Sequence, residues 1–210
     1  QRLPRSEEAA FDALLAQRTP CRNFDPQRAL PLPLLAQVLQ RTLMAHAVQK
    51  VERDTEFLKK NVPSGGGLHP TEGFLLVQNV EGLAPGLYHY HPVQHAVLRL
   101  TSPAPDALPP LARRMLSGQE WFADAPALLV LAPRYDRCFW KYRNHAKAYR
   151  GVTLDVGHIS QLLYLCATER GLAAFVTAAI NDADVDRAFG FDGIGQSAMA
   201  ICGLGWRSAT

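Results

Sequence analysis

The segment Asn61-Val62-Pro63-Ser64-Gly65-Gly66-Gly67-Leu68-His69-Pro70 carries the strongest chemical signal in the chain. Three successive glycines expose backbone N–H groups and permit positive φ, so a flat or anionic ligand can approach the main chain. A flexible turn is the plainer alternative. Pro63 and Pro70 bracket the segment, however, and an apolar run follows at once, which favours a shaped binding loop. No Lys-Ser/Thr pair follows the glycines, so this is no P-loop; Ser64 also lacks the glycine two positions earlier that a nucleophile elbow needs.

A second cluster, Arg18-Thr19-Pro20-Cys21-Arg22 with Arg28 nearby, offers two guanidiniums and a hydroxyl that could grip an anion together. Plain surface solvation is the alternative. Arg137-Cys138-Phe139-Trp140-Lys141-Tyr142-Arg143-Asn144 is basic and aromatic, and three readings stay open. It could stack single-stranded nucleic acid. Lys141 and Tyr142 could transfer a proton, their aromatic neighbours excluding water and lowering the lysine pKa. It could also be a solvated loop. His89, His91 and His95 could suggest a metal on one strand face, but the loose spacing and missing carboxylate partner point to ordinary histidines. Gly203-Leu204-Gly205 has no following helix to receive a pyrophosphate and is not a dinucleotide fingerprint.

These residues need elements to hold them. Ser6, with Glu7 and Glu8, can cap a helix running to about Gln17. Leu34, Leu35, Val38, Leu39 and Leu43 recur at helical spacing in a second helix starting near Pro33. Residues 73–78, 86–90 and 97–100 read as strands of a meander, and 127–132 as another buried strand. Prolines 103, 105, 109 and 110 lead into a short helix over 111–116. Val152, Val156, Ile159, Leu163 and Cys166 line one face of a helix from about Ala146 to Arg170, stopped by Gly171. Such a helix is about 36 Å long, the length of a domain axis. A strand (174–178), a helix (182–189) and a last strand (198–203) follow. Interleaved helices around an antiparallel meander predict an α+β layer fold.

Composition bounds the rest. The 210 residues suit one domain, with 48% hydrophobic and 20% charged residues, which excludes disordered, collagen-like and coiled-coil chains. A net charge of +3 argues against nucleic acid as the partner unless the charge clusters. No apolar run reaches the ~20 residues of a membrane helix. Cys21, Cys138, Cys166 and Cys202 form no C-x-x-C pair, so four reduced thiols in a cytoplasmic protein are expected. Gln1-Arg2-Leu3-Pro4-Arg5 lacks the apolar region of a signal peptide, and a tag, processed segment or further domain can precede it.

Taken in order, the pieces resemble the nitroreductase-like flavoenzymes, and within them the SagB-type dehydrogenases of peptide maturation. The resemblance rests on Arg18-Thr19-Pro20-Cys21-Arg22-Asn23-Phe24, Pro63-Ser64-Gly65-Gly66-Gly67-Leu68-His69-Pro70-Thr71-Glu72, Pro85-Gly86-Leu87-Tyr88-His89-Tyr90, Lys141-Tyr142, Ala148-Tyr149-Arg150, Leu154-Asp155-Val156-Gly157-His158 and Gly203-Leu204-Gly205. It implies a single nitroreductase-like domain over 1–210, with a mixed, mostly antiparallel sheet flanked by helices. It further implies an obligate homodimer with FMN held at the subunit interface. By that resemblance Arg18, Thr19, Arg22 and Arg207 bind the phosphate and ribityl chain, with Gly205 beside them. Pro63, Ser64, Gly65 and Gly66 lie against the flavin, and Thr177, Ala178 and Ala179 back its other face. Lys141 and Tyr142 match the pair that azoline-oxidising members use. The implied reaction oxidises a thiazoline or oxazoline of a modified peptide to the azole, with a cyclodehydratase as a partner and molecular oxygen able to take the electrons. The alternatives are an NAD(P)H-dependent nitro or quinone reductase acting on small molecules, and a flavin-free scaffold docking on a cyclodehydratase.

Overall fold

The computed structural model describes residues 9–51, 55–143 and 145–209. Its centre is a six-stranded sheet in the order β7-β6-β4-β8-β10-β9. The strands are β4 (Thr71–Val77), β6 (Gly86–His91), β7 (Ala96–Thr101), β8 (Ala127–Pro133), β9 (Ala173–Thr177) and β10 (Ala200–Gly205). Every pairing within it is antiparallel, and the parallel pairing among the described strands joins the two-residue β1 (Leu30–Pro31) and β5 (Val80–Glu81). The meander therefore forms as expected. The last strand lies later than its apolar run suggested, so Gly203-Leu204-Gly205 is part of it.

The helices are α1 (Ala10–Gln17), α2 (Leu32–Thr42), α3 (Leu108–Met115), α4 (Glu120–Ala123), α5 (Tyr135–Lys141), α6 (Lys147–Glu169) and α7 (Asp182–Phe189). The capping residues expected at Ser6, Glu7 and Glu8 lie outside the described residues. Successive strand residues point to opposite faces, and both faces of β4 and β8 are buried. Leu75 and Val77 join Leu129 and Leu131 under α2 and α6. Phe74 and Leu76 join Leu128 and Val130 under α3 and α7, where Phe122 stacks on Phe175 at 3.9 Å. The stripe expected on α6 is buried throughout, which seats that helix along the sheet.

Two features that border the glycine loop differ from expectation. A separate hairpin, β2 (Ala45–Val51) with β3 (Thr55–Lys60), stands between α2 and the glycine loop. Residues 135–141 form the helix α5 rather than a loop, because Cys138 inserts into a small core with Leu68, Ala148 and Val152.

Candidate functional site

The glycine loop is clamped from two sides. From α6, Asp155 accepts from the Ser64 hydroxyl and, at 3.0 Å, from the Gly65 N–H. Ser64 in turn accepts from the His69 N–H at 2.9 Å, and the His158 ring contacts the Pro63 carbonyl at 3.2 Å. Burial, opposed by those hydrogen bonds, keeps the Asp155 pKa above the ordinary carboxylate value. From α5, Lys141 Nζ donates to the Gly66 carbonyl at 3.2 Å. Gly66 has φ +66°, and its absent side chain leaves the space that the Tyr142 hydroxyl and the Lys141 amine occupy. The structure thus brings Pro63, Ser64, Gly65 and Gly66 together with Lys141 and Tyr142.

What holds α5 there is Glu72. Its carboxylate takes Arg137 at 3.0 Å, Arg134 at 3.9 Å and His89 at 3.3 Å, while Arg137 also donates to the His69 carbonyl at 3.1 Å. Burial alone would raise the Glu72 pKa, but His89, Arg137 and Arg134 outweigh it and hold the carboxyl below its ordinary value. His89 therefore does have a carboxylate partner, contrary to expectation. His91 accepts from the Gln94 N–H and His95 pairs with the Tyr90 hydroxyl, so the three histidines serve three different contacts.

The shelter expected around Lys141 is absent in the single chain. Lys141 is exposed, and Phe139 and Trp140 are 40% and 53% exposed, because Cys138 is the residue that α5 turns inward. The sheltered lysine is instead the half-buried Lys60, at the end of β3, pushed down to about 8 by desolvation and by the nearby Arg137 charge. Burial and the surrounding Lys60, Lys59 and Arg137 charges push His69 down to about 4, so its imidazole is neutral. Sequence spacing gives no sign of either; only the approach of β3 to the loop does.

The other candidates gather along the edge strand β9. Cys21 N–H donates to the Ala174 carbonyl at 2.8 Å, which lays the Arg18–Arg22 loop beside β9. Arg207 donates to the Thr19 hydroxyl and to Asn23 Oδ1, each at 3.2 Å. Asp25 N–H and Ser208 N–H bind the Trp206 and Asn23 carbonyls and close the join. Arg18 lies over the Tyr164 ring at 5.3 Å, Arg22 is exposed, and Arg28 turns aside onto Trp206 at 3.6 Å. Thr19 and Arg207 line a cavity of about 200 Å³. At the far end of β9, the Thr177 hydroxyl accepts from the Ala179 N–H and reaches Gln119, fixing the turn through Ala178. Gly205 is buried, and Pro126 and Phe24 fill the space a side chain would need, which accounts for this glycine by packing.

In one chain the two groups stay apart. The glycine loop meets α6 near Gly151 and Asp155, whereas Arg18 meets it at Tyr164. Gly151 and Tyr164 are about 20 Å apart along the helix axis.

This α+β sheet flanked by helices is the fold of nitroreductases of known structure. Residues 15–206 match the nitroreductase family, and the chain belongs to it. The Methanocaldococcus jannaschii protein MJ1384, a nitroreductase by name, is 31% identical over 183 residues, 87% of this chain and 85% of its own. The trifolitoxin-processing protein TfxB of Rhizobium leguminosarum bv. trifolii is 30% identical over 69% of this chain, and the microcin B17-processing protein McbC of Escherichia coli 30% over 66%. The matches span 39% of TfxB and 51% of McbC. Among solved structures, the E. coli microcin synthetase McbBCD complex with truncated pro-MccB17 bound superposes with a TM-score of 0.75 at 25% identity, over 91% of this chain and 70% of that one. A Ralstonia eutropha nitroreductase superposes at 0.73 over 100% of this chain and 89% of its own, and at 19% identity it shares the fold. Among the described residues, no helix is long and apolar enough to cross a membrane, and all four cysteines are buried with free thiols.

Proposed function

We propose that the chain is an FMN-dependent dehydrogenase of peptide maturation, which oxidises a thiazoline or oxazoline ring to the azole as a homodimer. The observation that carries this reading is the seat of Lys141 and Tyr142 on Gly66, with the lysine amine 3.2 Å from the Gly66 carbonyl. A proton acceptor beside a glycine loop suits removal of a ring proton from a substrate lying over that loop. The likeness to McbC, TfxB and the McbBCD complex supports a peptide as the substrate and a cyclodehydratase as the partner.

The residues fit an FMN. Arg18, Arg22, Arg207 and Thr19 offer charge-assisted donors to a phosphate, and the exposed Gly66 backbone admits a flat ring. Bound FMN supplies the acceptor for a hydride from the substrate C–H bond. Lys141 or Tyr142 takes the accompanying proton, and Asp155 keeps the loop in register by gripping Ser64 and Gly65. A two-fold pairing that runs α6 antiparallel to its mate would bring the loop of one chain to the arginines of the other, spanning the 20 Å gap. Tyr149, 58% exposed on α6, suits such a contact.

The test is to compare the parent with Lys141→Ala and Tyr142→Phe for flavin content, sedimentation and single-turnover flavin reduction by an azoline peptide. Both variants should remain yellow and dimeric while reduction slows by about 10²–10⁴-fold. Reduction at the parental rate in both removes the main support. The extended match to MJ1384 favours a second reading, an NAD(P)H-dependent nitro or quinone reductase. Steady-state nitroaromatic reduction by NAD(P)H that survives Lys141→Ala would establish it, and a colourless protein that takes up no FMN would point to the scaffold role.

A further inference from the structure

Beside the Lys141–Tyr142 seat lies a cavity of about 300 Å³ lined by Gly65, Tyr142, Lys147, Arg150, Gly151 and Leu154. Gly65, Gly151 and Leu154 give it an apolar wall, and Lys147 and Arg150 bring two exposed cations. Neither cation forms an ion pair among the described residues. They belong to the stretch between Asp136 and Asp155, which holds Arg137, Lys141, Arg143, Lys147 and Arg150 and no acidic residue. The whole chain nets only +3, so positive charge is concentrated here. Glu72 answers Arg137, but among the described residues no carboxylate pairs with Lys147 or Arg150 at the cavity. Unpaired charge of one sign at a concave site raises the local concentration of the opposite sign.

We propose that the Lys147–Arg150 side of this cavity is the subsite for an acidic stretch of the peptide substrate, a deepening that rests on the peptide-oxidation reading above. The two cations are three residues apart on α6, so their Cβ atoms are about 5–6 Å apart. Alternate residues of an extended peptide lie about 7 Å apart on one face. Flexible lysine and arginine stems cover the difference, so two carboxylates in an acid-x-acid pattern match the pair. The apolar wall and Gly65 then receive the ring that precedes or follows them.

The experiment uses the flavin-loaded protein and three fluorescent probes: a ten-residue peptide with Glu-x-Glu, its Gln-x-Gln counterpart, and a short single-stranded DNA. The acidic peptide should bind about tenfold more tightly than the glutamine peptide. That preference should fall to about twofold in Lys147→Gln/Arg150→Gln, and also at about 0.5 M salt. Equal binding of the two peptides overturns the proposal, as does a preference that survives the double substitution. DNA binding that exceeds acidic-peptide binding and is lost in the double variant assigns the cations to nucleic acid instead. A double variant that turns monomeric when the parent is a dimer assigns them to a second copy. Azoline forms of the two peptides separate this idea from its premise: preferred binding without flavin reduction sinks the oxidase and leaves the acidic subsite standing.

Discussion

Gly66→Ala, set against Gly67→Ala, isolates the seat on which the proposed chemistry depends. Both glycines have left-handed backbones, with φ of +66° and +69°. Alanine at either position therefore carries the same backbone cost, about 1 kcal/mol. Their surroundings differ. An alanine Cβ at 66 would lie 2.8 Å from the Tyr142 hydroxyl and 3.0 Å from both Cδ and Nζ of Lys141, whereas at 67 it meets nothing within 4 Å. The colliding atoms are ends of flexible side chains, so they swing away at little energetic cost. Both variants should melt about 2–4 °C below the parent. Only Gly66→Ala should displace the lysine amine from the Gly66 carbonyl, and flavin reduction by an azoline peptide should slow about 10²-fold or more in it alone. Thermal melts and stopped-flow flavin absorbance, read on the same preparations, give both numbers. Equal stability losses with equal, parental reduction rates in the two variants would refute the idea that Gly66 positions the pair.

Arg22→Ala should weaken FMN binding about tenfold or more, since a charge-assisted contact is worth about 1.5–3 kcal/mol, and a titration giving undiminished affinity refutes that role. Ser64→Ala leaves an Asp155 oxygen and the His69 N–H without their partner, so denaturant melts should show a loss of about 1–3 kcal/mol. His69 carries a pKa lowered from 6.5 to about 4, so the unfolded chain binds a proton that the folded chain refuses between those values. Its contribution is complete above about pH 6.5 and is lost as pH falls toward about 4, amounting to about 3 kcal/mol. Urea melts across that range should slope less steeply for His69→Asn, an asparagine tolerating the positive φ at this position; identical slopes would count against the assignment.

The sheet and α6 were legible because their apolar residues keep period for many turns or strands. Val152, Val156, Ile159, Leu163 and Cys166 announce a buried face whatever packs on it. The β2–β3 hairpin was not legible, since Ala47 through Val51 face solvent and no alternation marks the pairing. Nor was α5, whose seven residues bury Cys138 and leave Phe139 and Trp140 outside. At the site, the glycine loop and the Lys141–Tyr142 pair stood out by residue type. Glu72, Asp155 and Lys60 acquire their meaning only when β3, β4, α5 and α6 converge, and charge burial of that kind has no spacing rule.

The arginine loop has one more property, which concerns the order of synthesis. Its residues emerge early, yet Arg207 is 188 residues beyond Thr19 and the Asn23 amide reaches Ser208 across 185. Until the ribosome has delivered Trp206, Arg207 and Ser208, the loop lacks the contacts that fix Thr19, Asn23 and Asp25. Closure over such a distance belongs to the slow, non-local part of folding. The loop therefore gains its folded shape only once translation has passed β10, and a nascent chain stalled before that point carries Arg18 and Arg22 without the contacts that fix their loop.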